Sequence, residues 1–67
     1  MYILQEINIG NKVKVSEMGF MGLEDWYGRV TEIIDENNCT VDFGKDTILS
    51  PQFMIIHKSR ISLDSVL

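Results

Sequence analysis

Asp25-Trp26-Tyr27-Gly28-Arg29-Val30-Thr31-Glu32-Ile33-Ile34, a polar reversal over residues 35–38, and then Cys39-Thr40-Val41-Asp42-Phe43-Gly44 form the stretch whose reading decides the fold. It reads as a long bent strand turned back onto a short alternating one. In the second half Cys39, Val41 and Phe43 share one face and Thr40 and Asp42 the other, the period of a half-buried strand. The first half carries a conflict of phase. Val30 and Ile34 share parity with Trp26, whereas Ile33 lies opposite. For Val30 and Ile33 both to reach a core, the strand must bulge or bend near Thr31 and Glu32, as strands of small barrels do to turn corners. Gly28, in mid-strand, fits a tight coil or a close backbone approach. The reversal contains Asn37 and Asn38, which tolerate left-handed angles.

Outward from this hairpin, Gly10-Asn11 is a turn, and Lys12-Val13-Lys14-Val15-Ser16 alternates cleanly, with both valines inward. Residues 17–24 hold Gly19 and Gly22 around Phe20 and Met21, which argues against helix and for a loop with apolar residues near its tip. Gly44-Lys45-Asp46 is another turn. Residues 47–49 extend the sheet briefly before Ser50-Pro51 interrupts it. Phe53-Met54-Ile55-Ile56 reads as a strand covered on both faces. Residues 57–60 suit a single helical turn, and residues 61–63 close the sheet. Residues 1–9 fit both strand and helix spacing and are expected to be an extended arm or edge strand. The fold class is therefore all-β: a small five-stranded barrel over residues 10–64, preceded by that arm. Closure is favoured at this length because it removes unpaired edges.

A 67-residue chain has room for one core only. Its 45% hydrophobic and 24% charged content is that of a globular protein. One cysteine excludes an internal disulfide and implies no oxidising compartment. Neither a signal peptide's basic and apolar regions nor an apolar run long enough for a membrane span occurs in the sequence, so a cytoplasmic protein without membrane contact is expected. The net charge of −4 opposes nucleic-acid backbones and suits a basic or neutral protein partner better.

Residues 9–43 resemble the Src-homology-3-like barrels of the Tudor and KOW kinds. The matching residues are Gly10, Val13 and Val15, the aromatic Trp26, the run Gly28-Arg29-Val30-Thr31-Glu32-Ile33, then Val41, Phe43 and Gly44, with Ile61 as the closing apolar residue. The Tudor resemblance implies an aromatic cage for methylated side chains, with Trp26 and Phe43 as walls and Phe20 or Tyr27 as further members. The sequence departs from that pattern in having no aromatic after Val15 and in placing Asp46 where a tyrosine commonly follows the third strand. The KOW resemblance, carried by Gly28-Arg29-Val30, implies contact with RNA or with proteins of ribosomal and transcription complexes.

Catalytic groupings are sparse. His57 and Cys39 are single residues of their kinds, and strand parity sends Cys39 inward as a small core residue. No clustered metal-ligand spacing and no phosphate-cradling glycine loop occurs, and no cofactor is expected. The aromatic group is the better lead. Phe20, Trp26 and Tyr27, flanked by Glu24 and Asp25, form the expected partner-binding surface of a non-enzymatic interaction module, the alternative being that Phe20 and Trp26 cap the open end of a small core. A second reading is a nucleic-acid accessory module contacting phosphates through Lys12, Lys14, Arg29, Lys58 and Arg60. A third is a small-molecule or nucleotide-binding protein of bacterial or phage origin. Self-association through residues 53–56 or the N-terminal arm is also open at this point, making a homo-oligomer one expectation.

Overall fold

The computed structural model describes residues 6–45 and 51–64. Five strands, β1 (Lys12–Met18), β2 (Glu24–Ile33), β3 (Asn38–Asp42), β4 (Phe53–His57) and β5 (Ile61–Leu63), form one antiparallel sheet in the order β4-β3-β2-β1-β5. Short 3-10 turns at Phe20–Gly22 and Lys58–Arg60 follow β1 and β4. The protein is all-β, as its alternating segments predict. The last turn is capped by His57, whose Nδ1 accepts the Ser59 N–H at 3.1 Å.

β1 starts where the Lys-Val alternation begins but runs past Ser16 to Met18. Its register against β2 slips by one residue between Val15↔Trp26 and Met18↔Glu24. The extra residue is accommodated with Glu17 in the left-handed region at φ 61°. This bulge resets the phase, so Val13, Val15 and Met18 are all buried. A second bulge lies where the phase conflict in β2 requires one. Val30 faces Val41 and Glu32 faces Thr40, leaving Thr31 as the additional residue. Val30 and Ile33 thereby both turn to the core side. The turn that follows is pinned by Asp35, whose Oδ1 accepts the N–H groups of Asn37 (2.8 Å) and Asn38 (2.9 Å). Gly28 marks the close approach expected of it: a Cβ there would lie 2.5 Å from the Asp42 carbonyl oxygen and 2.8 Å from Val41 Cγ1.

The inner face gathers Val13, Val15, Val30, Cys39, Val41, Ile56 and Ile61 into one core, to which Ile7 adds its side chain from before β1. Each fully buried valine or isoleucine contributes about 1.5–3 kcal/mol of burial. Because Ile56 of β4 and Ile61 of β5 share this core although their strands are the two ends of the sheet, the sheet curls over itself. It does not close: among the described residues β4 pairs only with β3, and β5 only with β1. The architecture is thus a curled five-stranded sheet, compatible with a barrel-like fold.

One local expectation is corrected. β4 is not covered on both faces, since Phe53 is 52% and Ile55 65% exposed, a run of four apolar residues being equally compatible with an edge strand. Residues 6–9 carry no strand; they lead into a turn in which Asn8 N–H donates to Asn11 Oδ1 at 2.8 Å and Gly10 N–H to the Val30 carbonyl at 2.8 Å. Residues 1–5, the brief strand at 47–49 and the Asp46 position lie outside the described residues.

Candidate functional site

At one end of the sheet, the β1 bulge, the 3-10 turn after it and the first residues of β2 surround a groove of ≈ 620 Å³. The turn owes its shape to positive φ at three of four successive residues, Gly19 (71°), Met21 (60°) and Gly22 (67°). That path lifts Phe20 and Met21 away from the core, leaving them 81% and 76% exposed on the groove. Trp26 forms the floor. It points to the inner face at the open end of the core, half-buried, its ring T-shaped to that of Phe43 at a centroid distance of 5.3 Å. Its indole N–H donates to Glu24 Oε2 at 3.0 Å, which fixes the ring and places a carboxylate at the rim. Met18, Met54 and Pro51 complete the apolar wall, and Glu17 adds a second acidic residue.

Arg60 reaches the same end of the sheet, but its guanidinium is engaged with backbone. Nε and Nη2 donate to the Ser16 carbonyl at 3.2 and 3.0 Å, and Nη2 donates to the Glu17 carbonyl at 2.8 Å. Ser16 Oγ returns a hydrogen bond of 3.3 Å to the Arg60 carbonyl. These contacts hold the bulged segment that carries Glu17, so Arg60 acts here as a brace for the groove wall.

The structure brings together three of the five residues expected at the aromatic surface: Phe20, Glu24 and Trp26 all line the groove. Tyr27 follows Trp26 along β2 and so lies on the opposite, outer face, 59% exposed and in register with Lys14. Asp25 is exposed and lines neither groove. Trp26 packs against the core and also lines the groove. Sequence reading missed Glu17, Met18 and Met54 as wall residues. The signal for the first two was the resetting of phase after Ser16, which a glycine at position 19 disguised as the start of a loop.

The five basic residues of the nucleic-acid reading are dispersed over three places. Lys12 faces Arg29 across the β1–β2 ladder and Lys14 faces Tyr27, all on the outer face. Arg29 Nη1 donates to the Gly10 carbonyl at 3.0 Å, and Asp42 and Asp64 join Lys12 and Arg29 around a shallow depression of ≈ 370 Å³. Lys58 sits in the turn after β4, where its N–H donates to the Asn37 carbonyl, at the Asp35 turn. Arg60 is at the groove.

Cys39 and His57 do not meet: Cys39 is buried on the inner face, whereas His57 is exposed on the outer face of β4. Burial pushes the Cys39 thiol up from its ordinary pKa, opposed by the positive charge of Lys58. Among the described residues no cluster of three or more His, Cys, Asp or Glu side chains suits a metal ion, and no helix is long and apolar enough to cross a membrane. No protein-family model, curated protein or solved structure matches the chain.

Proposed function

We propose that the chain is a non-enzymatic interaction module, a small barrel of the Tudor-like kind, that docks a protein partner in the groove between Phe20, Glu24 and Trp26. The observation that carries this reading is the Trp26 ring at the groove floor, fixed by Glu24 while Phe20 and Met21 stand uncovered above it. Exposed Phe and Met side chains cost free energy in water, and a partner that covers them recovers it. The carboxylates of Glu17 and Glu24 at the rim, with the Arg60 guanidinium turned to backbone carbonyls, select a basic segment. A Lys or Arg side chain suits such a site because its alkyl stem lies along the apolar wall while its head meets the carboxylates.

The test is affinity capture from the native host with three baits: the protein, Phe20→Ala and Glu24→Lys. Both side chains are exposed, so each variant should keep the parent's β-type circular dichroism. Partner recovery is expected to fall about tenfold or more with each. Unchanged recovery with both variants removes the groove from consideration. Recovery of nucleic acid instead, lost as salt rises, would favour the KOW reading through Lys12, Lys14 and Arg29.

A further inference from the structure

Among the described residues β4 is an edge strand without the usual protections of an edge. Phe53-Met54-Ile55-Ile56-His57 contains no Asp, Glu, Lys or Arg, and among the described residues nothing pairs with its outer side. The hydrogen-bond phase of that side follows from its contact with β3. Phe43 N–H donates to the Gln52 carbonyl and Lys58 N–H to the Asn37 carbonyl, each at 2.7 Å. Between these ends, Met54 pairs with Val41 and Ile56 with Cys39 in the same phase. Met54 and Ile56 thus turn their backbone groups to β3, and Phe53, Ile55 and His57 turn theirs outward. The exposed side chains on this strand belong to the same three residues, with Phe53 52% and Ile55 65% exposed.

We propose that β4 pairs antiparallel with β4 of a second copy of this chain, with Ile55 opposite Ile55 of the partner subunit, joining the two sheets edge to edge. The occupant is a second copy because the edge is complementary to itself in one register. With Ile55 on the two-fold axis, Phe53 faces His57 of the partner subunit, and every outward N–H and C=O of the three residues finds a partner, giving about six hydrogen bonds. A shift of two residues one way sets Pro51, which has no N–H, against His57 of the partner subunit. A shift of two the other way calls on the Ser59 N–H, which already donates to His57 Nδ1. Shifts by one oppose outward groups to groups bonded to β3. Charge points the same way. Each chain carries −4, so two copies repel over most of their surface, and the uncharged β4 is where they meet without an opposed pair of formal charges. The pairing also covers both Ile55 side chains on one continuous outer face.

Two short strands bury less than the roughly 1,200 Å² of a standard complex, so the association is concentration-dependent. Sedimentation equilibrium from about 1 µM to about 1 mM, a span covering weak dimers of this size, should show the mass rising from 7.7 kDa to twice that value. Added salt should tighten the dimer, because it screens the net repulsion and breaks no ion pair at the contact. Ile55→Lys places like charges across the axis and should raise the dissociation constant about a hundredfold with circular dichroism unchanged. Ile55→Cys provides a check on register. Across a hydrogen-bonded pair the two Cα atoms lie about 5.5 Å apart, within disulfide reach, so diamide should crosslink this variant into a dimer. The buried Cys39 stays out of that reaction in the folded protein. A monomer at every concentration, a dimer indifferent to Ile55→Lys, or an Ile55→Cys dimer that diamide does not crosslink overturns the proposal.

Discussion

Gly28 shows how one missing side chain sets the distance between two strands. Its backbone is extended, so its role is not an unusual angle but space: a Cβ would press on the Asp42 carbonyl, on Val41 and, at 3.1 Å, on Phe43 Cδ1. Gly28→Ala is therefore expected to push β3 outward and lower stability by about 1–3 kcal/mol, read from the midpoint of urea unfolding. Asp35 works through charge. The N–H of Asn37 and the side-chain amide of Asn38 hold its carboxyl below the ordinary aspartate range, helped less strongly by the Asn38 N–H and Lys58 and opposed by slight desolvation. A carboxyl lowered in the folded state binds its proton less readily there than in the unfolded chain. Its stabilising contribution is complete above the ordinary aspartate pKa and disappears as pH falls through the lowered value. Thermal midpoints of the protein and of Asp35→Ala should thus differ at neutral pH and converge in strong acid. If the gap persists there, the charge of Asp35 is not what holds the turn.

Elements rather than single residues explain which parts of the architecture the sequence made legible. The β2 bulge could be read because Val30 and Ile33, three residues apart, both suit a core, and no regular strand turns both inward. The β1 bulge could not. Met18 stands beside Gly19, and the phase break at Glu17 looks the same in sequence as the end of a strand. The groove was half legible for the same reason: Phe20, Glu24 and Trp26 announce themselves as an aromatic and acidic group, whereas Glu17 and Met18 join them only once β1 is lengthened. In sequence β4 looks doubly covered because Phe53-Met54-Ile55-Ile56 has no polar residue to mark its outer face. Charge alone groups Arg60 with the phosphate-binding candidates, and only tertiary structure reveals its tie to β1. That tie yields a prediction about the element. Arg60→Met keeps the bulk of the side chain but leaves the Ser16 and Glu17 carbonyls without their charged donor. It should cost about 1–3 kcal/mol and loosen the β1 bulge, seen as faster amide exchange at residues 16–19. Exchange unchanged across those residues would show that the bulge holds itself.

The molecule as a whole is one small core wrapped by a sheet whose two end strands are each paired on one side only among the described residues, so its opening should be concerted. Cys39 lies in that core with no measurable exposure, and its thiol is pushed up by burial, against the pull of Lys58. The unfolded chain gives up this proton first as pH rises, so stability should decline through the ordinary thiol range. In the folded protein the thiol should react with DTNB only as fast as the core opens, and at once in concentrated urea. A rapid reaction under native conditions would mean that β3 comes away from the core without global unfolding. The placement of the single Trp26 has a different use. Its ring packs against Phe43, its N–H is held by Glu24, and it lines the groove, so its emission carries two signals at once. Loss of the fold moves the indole into water and shifts the light to the red, while a bound partner shields it and shifts the light to the blue. The chain thereby comes with its own optical probe, and occupancy and unfolding can be followed in the same cuvette without a label.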